Sequence, residues 1–471
     1  MSRRTMMRTD PVFVSTCDGT IGAIRLAFLF AVALTVVPLG STTPVQLHVS
    51  SATHALVFIL TIAAVRDARQ ATRILRPVLL VAASAIAYLA LQAAWFSGNP
   101  FANPVWAAVA EDLGLSRGAI SVAPDATLGS IPALVMPFLA FGSAALLSRD
   151  DAGGWRTWRG LALLGIAVSL FGLVRYLAFP EIRLFGQTFL DRGALTSFFV
   201  NRNNAATFLG LSSLASLGWL AWQTARLDGT PSTSRLAAPG RSFAMRHAGP
   251  ILTGLALFAT IVALLLTRSR AGIAISLASL VAAAAFIARD RVRRGIWPRP
   301  PAIAVAGIWL VGLAGLAILA QRAILRAELG GLSDDRFCLY RQTIAAIRDN
   351  WVWGTGFGTF GDVFPAYRNA GCTIHGIPEQ AHNSYLEGTL GLGLPFLLLL
   401  AATLAVLVSI LATGLRERRR LRPIPIVCLA ALGLMLAHSA VDFPVQIPGI
   451  AVYFAALLGS GAGLSLARRP G

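Results

Sequence analysis

Apolar stretches of about 17–24 residues recur along the whole chain, and a stretch of that length leaves little choice of structure. Roughly 20 apolar residues in a helix cross the ~30 Å hydrocarbon core of a bilayer. A helix satisfies its own backbone there, where no water can. Twelve such spans lie at about 22–40, 49–65, 77–96, 128–147, 160–178, 204–223, 249–267, 271–288, 302–320, 388–411, 424–441 and 446–466. The second opens on the polar run VSSATH and is the weakest. The first reads as a signal anchor, since no small-residue cleavage site follows it. With 471 residues, 56% hydrophobic and only 13% charged, the chain is too apolar for a soluble protein of its size. The pattern predicts an all-α, polytopic integral membrane bundle of about twelve transmembrane helices, forming a single membrane domain over 1–471.

The basic excess has to be weighed by where it sits. Net charge is +19, and all 40 basic residues are arginine. Placing MSRRTMMR in the cytoplasm and alternating the spans puts 26 arginines on the cytoplasmic side and 12 outside; Arg25 and Arg175 fall within spans. This is the positive-inside asymmetry of a membrane protein. It excludes nucleic acid as the reason for the charge and predicts cytoplasmic termini. The protein's evident partner is the lipid bilayer.

Two external segments stand out: a short loop at 179–203 and a long one at 321–387. A structureless loop of the latter length is uncommon in a compact protein unless it has a function. Within it, DDRFCLYRQTIAAIRDN carries apolar residues at helical spacing and predicts an amphipathic surface helix. Trp351 and Trp353 suit an interfacial aromatic belt. GTGFGTFG (354–361) follows no strand and opens no clear helix, so its glycines read as a tight turn and not as a phosphate-binding loop. Cys17, Cys338, Cys372 and Cys428 lack metal-site spacing, and no metal or cofactor is expected. Cys338 and Cys372 share the external loop, where an oxidising compartment permits a disulfide that would constrain the unfolded chain by about 3 kcal/mol.

Polar residues at the mouth of a hydrophobic helix ask for a reason. EQAHNSYLEGTLGLG (379–393) supplies His382, whose imidazole can take a proton from a hydroxyl near neutral pH. Glu387, five residues on, is placed to orient it or to act as an alternative acid–base group. The same residues also suit a plain helix start, with Asn383 or Ser384 as the cap. A second constellation is arginine set against the positive-inside rule: Arg202 in FFVNRNNAATF beside Asn201, and Arg268 and Arg270 in LLLTRSRAGIA. A guanidinium fork fits phosphate oxygens. The bland alternatives are lipid head groups or an acid such as Asp191, and these serve better for Arg268 and for Arg192 than for Arg270. HSAVDFPVQIP sets His438 and Asp442 at i and i+4, on one helix face, as structural support for a nearby site or as a proton-handling pair.

FFVNRNNAATF, TRSRAG, DDRFCLYRQTIAAIRDNWVWGTGFGTF, AHNSYLE and HSAVDFPVQIP, in that order and with the long loop between them, resemble the O-antigen ligase and polymerase superfamily of bacterial envelope glycosyltransferases. The resemblance spans the C-terminal two-thirds of the chain; the first 180 residues share only hydropathy. It implies transfer of a glycan from a polyprenyl-diphosphate carrier to a hydroxyl of lipid A core, another glycan or a protein. The expected reaction takes place on the periplasmic face of the inner membrane, inverts the anomeric centre and needs neither metal nor nucleotide. On that reading His382 activates the acceptor, with Glu387 less securely in support. Arg202 and Arg270, with Arg268, hold the diphosphate, and Asn201, Asn383, His438 and Asp442 support the site. Ligase, polymerase and protein O-glycosyltransferase remain open, as does the donor sugar. The rival from another class is a twelve-helix transporter of a small anion or sugar, although a transporter places its site near the bilayer midplane.

Overall fold

The computed structural model describes residues 11–65, 67–114, 117–182, 184–185, 193–228, 243–297, 335–369, 378–418 and 421–467. The expected span at 302–320, together with Asp191, Arg192 and Cys372, lies outside the described residues. Ten helices among the described residues are long and apolar enough to cross a membrane, and an eleventh apolar helix, Pro423–Ser439, is shorter. The protein is therefore a multi-pass, all-helical membrane bundle. Its sole described ladder is a two-residue antiparallel pairing of β1 (Phe96–Ser97) with β2 (Arg117–Gly118).

Chain order sets the helices out as α1 (Pro11–Val36), α2 (Pro44–Ala64), α3 (Ala68–Ala93), α4 (Pro104–Leu113), α5 (Pro124–Gly129), α6 (Ile131–Leu147) and α7 (Asp151–Ala178). They continue as α8 (Arg202–Asp228), α9 (Phe243–Leu266), α10 (Arg270–Arg293), α11 (Asp335–Asn350) and α12 (Phe360–Tyr367). The last four are α13 (Ser384–Leu392), α14 (Leu394–Glu417), α15 (Pro423–Ser439) and α16 (Pro448–Leu466). Capping chemistry written in the sequence starts several of them. Thr43 and Gln46 close a capping box on α2, Asp150 accepts from the Gly153 amide at 2.7 Å to start α7, and Pro448 stands in the first turn of α16. The second span thus begins at Pro44, earlier than its hydropathy suggested, because the capping box and not the apolar run defines its start.

Helices α8 and α16 are almost wholly enclosed by the others. α16 reaches the centre because its GSGAG run has almost no side chains to hold neighbours off. A Cβ on Gly459 would overlap the Phe141 carbonyl oxygen of α6, and one on Gly463 would overlap that of Ala145. Small residues permit such backbone approach in membranes, where hydrophobic exclusion between helices is weak. Several polar side chains in the spans find partners: Arg25 Nε donates to Thr157 Oγ1 at 3.1 Å, the Trp158 indole to the Ala215 carbonyl at 3.0 Å, and the Tyr453 hydroxyl to the Leu161 carbonyl at 2.9 Å. Arg175 donates to the Ser197 carbonyl at 2.8 Å and so anchors the segment that leads into α8. At the opposite, arginine-rich end Arg418 pairs with Asp151, and Arg422 with Asp290 at 2.7 Å.

The expected surface helix is α11. It packs Leu339 and Ala346 against Phe360 and Phe364 of α12 and Leu390 of α13, a small apolar cluster separate from the bundle core. GTGFGTFG is a clamp, and contrary to the sequence reading a helix (α12) does open at Phe360. The Thr355 and Gly356 amides donate to the Leu390 and Gly391 carbonyls at 2.9 and 3.0 Å, and Val122 donates to the Thr355 carbonyl at 2.9 Å. Gly354 lies at φ 70° with its Cα hydrogens against the Gly391 carbonyl, a position no side chain could share. Gln92 of α3 donates to both the Trp353 and Gly391 carbonyls at 2.9 Å and ties the clamp to the bundle.

Gly459→Leu and Gly463→Leu are expected to destabilise by about 1–3 kcal/mol or more, because the obstructing atom is backbone. Gly433→Leu, where nothing lies within 4 Å of an added Cβ, serves as the control. Thermal unfolding in detergent followed by intrinsic fluorescence reads the difference; equal midpoints for Gly459→Leu and Gly433→Leu would refute the close-approach account.

Candidate active site

His382 sits one residue before the cap of α13 with φ 52°, in the left-handed region that a β-carbon disfavours. Three contacts hold it there. The Tyr340 hydroxyl of α11 donates to the His382 carbonyl at 2.8 Å, Phe443 meets the imidazole edge-on at 4.8 Å between centroids, and Nδ1 faces Asp442 Oδ1 at 3.3 Å. Non-glycine residues held in this region cluster at functional sites. Arg268, another residue singled out by sequence, shares the conformation at φ 55°.

Asp442 is the buried centre of the arrangement, 1% exposed. Its Oδ2 accepts from Asn203 Nδ2 at 2.6 Å and its Oδ1 from the Phe443 amide at 3.0 Å. A carboxylate at Nδ1 favours the tautomer with its proton there, leaving Nε2 with the lone pair. The imidazole side chain is 34% exposed, so it can meet a substrate from solvent or lipid. Of the two roles open to Glu387, orienting the ring or acid–base work, the contact at Nδ1 is made by Asp442 instead. The Glu387 carboxylate accepts from the Ala381 amide at 2.8 Å and so braces the backbone before the histidine. Its enclosure raises the carboxyl from the ordinary range to about 7; the Ala381 amide, Gln446 and the nearby His382 pull the other way without cancelling that cost.

His438 and Asp442 do not act as a pair on one helix face, since α15 ends at Ser439. The Asp442 amide still bonds the His438 carbonyl at 2.9 Å, and the two side chains meet different residues one turn apart on α8. His438 Nδ1 meets Thr207 Oγ1 of α8 at 2.5 Å, while Asp442 turns to Asn203 and His382. The supporting role expected of Asn383 is local and double. Its side chain accepts from the Tyr385 and Leu386 amides at 3.0 and 3.1 Å, capping α13, and donates to the Ala440 carbonyl at 2.8 Å. The Tyr385 hydroxyl adds a bond to the Leu436 carbonyl at 2.7 Å, so α13 is stitched to the end of α15.

Arg202 and Arg270 are the first residues of α8 and α10, and Arg268 lies in the turn before α10; all three are exposed. Ser269 Oγ donates to Asn203 Oδ1 at 2.7 Å, and this bond joins the two helix starts. Every one of the three arginines is therefore within one residue of a member of that contact. Both helix N-termini present the positive end of their dipoles on the side where His382 sits. Asn201 accepts from the Asn203 amide at 2.7 Å and thereby starts α8. Asn203 and Ser269 escaped the sequence reading. Both stand inside the quoted motifs, but no periodicity separates Asn203 from Asn201 or Asn204, and only tertiary contact gives Ser269 a partner.

Cys338 is disulfide-bonded, and Cys428 is a buried free thiol. Among the described residues, no three His, Cys, Asp or Glu side chains cluster as a metal site.

Glu387 generates a pH prediction. A carboxyl raised to about 7 in the folded state against 4.5 when free keeps its proton longer in the native protein. Stability is therefore lost as pH rises from about 4.5 through about 7. Glu387→Gln removes that dependence, so the variant's thermal midpoint should gain on wild type between pH 5 and pH 8. A constant difference across that range would show that the carboxyl is not desolvated.

No curated protein matches the chain. Residues 255–401 match the family model described as O-antigen ligase. The matched segment holds Arg268, Ser269, Arg270, His382, Asn383 and Glu387, whereas Arg202, Asn203, His438 and Asp442 lie outside it and join the site through the contacts above. The chain is thus a polytopic membrane protein whose residues 255–401 are similar to the O-antigen ligase family.

Proposed function

We propose that the protein transfers a glycan from a polyprenyl-diphosphate carrier to an acceptor hydroxyl on the periplasmic face of the bacterial inner membrane, as an O-antigen ligase does. The acceptor is lipid A core or a growing polysaccharide. The observation that carries this reading is the His382–Asp442 pair joined, through Asn203 and Ser269, to helix starts that present Arg202, Arg268 and Arg270.

His382 Nε2 takes the proton of the acceptor hydroxyl as its oxygen bonds to the anomeric carbon. The bond from that carbon to the diphosphate oxygen breaks on the opposite side, which inverts the centre, and its electron pair leaves with the polyprenyl diphosphate. Asp442 stabilises the imidazolium that forms. The arginines meet charge that grows on the leaving group, where fixed cations contribute most. They supply the positive charge that other transferases draw from a metal. Cys338 paired with Cys372 would close the long loop over this face.

The test is transfer by purified protein from a polyprenyl-diphosphate-linked glycan to lipid A core in excess EDTA. His382→Ala should lower kcat by about 10²–10⁴-fold, the usual contribution of a positioned base, with donor binding largely kept. Arg270→Ala should weaken both, and Arg270→Lys should recover only part because ammonium lacks the bidentate fork. Near-normal transfer by folded His382→Ala would remove the histidine from the mechanism.

Orientation follows from the arginine split of 26 against 12, with both termini cytoplasmic. Reporter fusions at residue 360 and residue 418 should fall on opposite sides, 360 in the periplasm and 418 in the cytoplasm. Finding residue 360 in the cytoplasm would separate the site from its lipid-linked donor.

A further inference from the structure

Asn203 spends both ends of its side-chain amide on the site. Nδ2 donates to Asp442 Oδ2 at 2.6 Å, and Oδ1 accepts from Ser269 Oγ at 2.7 Å. The amide is a rigid planar group, so its two bonds cannot be set independently. Ser269 is itself fixed between Arg268 and Arg270, and its Oγ also accepts from the Gly272 amide at 3.3 Å as the cap of α10. One further contact stiffens the start of α8: Thr207 Oγ1 donates to the Asn203 carbonyl at 3.1 Å while meeting His438. The path from the arginine hairpin to the imidazole therefore runs through three side-chain contacts: Ser269 to Asn203, Asn203 to Asp442, and Asp442 to His382.

We infer that Asn203 is a positioning residue that orients Asp442 toward His382 and, through Ser269, couples that orientation to the placement of the arginine hairpin. The inference rests on the site reading above and deepens it. A hairpin seated by an anionic diphosphate sets the amide, the amide sets the carboxylate, and the carboxylate holds the ring with Nε2 outward. Coupling of this kind is reciprocal, so orientation of the His382 ring and occupation of the hairpin bias each other. The ionisable groups facing the network are His382 and Glu387 from the α13 side, Asp442 and His438 from the α15 side, and Arg202, Arg268 and Arg270 at the helix starts.

The test reads the imidazole directly in the full-length protein. Histidine labelled with nitrogen-15 is observed by NMR in nanodiscs at one fixed pH, and the His382 ring signals are assigned by their loss in His382→Gln. Asn203→Ala should shift the His382 ring-nitrogen signals away from those of a single Nδ1-protonated tautomer, because the Nδ1 proton loses a fixed carboxylate. Ser269→Ala should move those ring signals the same way by less, and Ser269→Thr, which keeps the hydroxyl, should restore them. In transfer assays Asn203→Ala should cost about 10- to 100-fold in kcat, the range of outer-shell orienting partners. Donor KM should rise by less than kcat falls, since no direct donor contact is removed while the hairpin loses its tie through Ser269.

Unmoved His382 ring signals in Asn203→Ala overturn the positioning role, and a shift in Asn203→Ala with none in Ser269→Ala overturns the coupling to the hairpin. Should Asn203→Ala fail to fold, the Ser269→Ala and Ser269→Thr pair decides alone. If the ring signals move as expected while wild type transfers nothing from a polyprenyl-diphosphate donor, the functional reading fails and the positioning role stands.

Discussion

A carboxylate cannot be buried in a membrane bundle unless protein dipoles replace the water it loses, and Asp442 shows what that demand organises. Its donors come from three separate parts of the chain: Asn203 from α8, the Phe443 amide from the turn after α15, and the ring of His382 from the segment before α13. Satisfying one acid thus fixes the relative placement of helix starts that are far apart in sequence. The same contacts expose an imidazole and arginines together. The energetic requirement of the fold and the geometry of the site are met by one set of hydrogen bonds.

The rest of the molecule holds those helix starts at one height. α16 can sit at the centre because glycines let it touch α6 backbone to backbone, and α8 lies beside it with serine and threonine hydroxyls returned to their own helix, as Ser212 is to the Phe208 carbonyl at 2.8 Å. At the arginine-rich end, the Arg418–Asp151 and Arg422–Asp290 pairs tie α14 and α15 to neighbours. At the other end the glycine clamp at 354–358 and the Gln92 bonds fasten the α11–α13 layer to α3. A base carried on an exposed segment needs such bracing, since a displacement of about 1 Å can cost two orders of magnitude in rate.

The residues of the site were legible to different degrees. His382 could be singled out because a titratable ring at the mouth of an apolar helix is costly without a role. Arg202 and Arg270 could be singled out because they break the charge asymmetry of the loops. Glu387 was legible only as either an orienting or an acid–base group, because five residues of separation in a segment that begins as a turn do not fix a contact; its carboxylate bends back to the Ala381 amide. His438 and Asp442 were paired by helical spacing, which stops applying once α15 ends at Ser439.

Sequence by itself determined that this chain lives in a membrane, roughly where its helices run, and which end carries the unusual polar residues. Those are consequences of local hydropathy, capping and charge, each read over about twenty residues or fewer. Tertiary structure alone decided that Asp442 and not Glu387 faces the imidazole, and that Asn203 and Ser269 belong to the site. Those contacts join residues 60 to 239 positions apart. Nothing local distinguishes one asparagine of FFVNRNNAATF from the next until the neighbouring helix arrives.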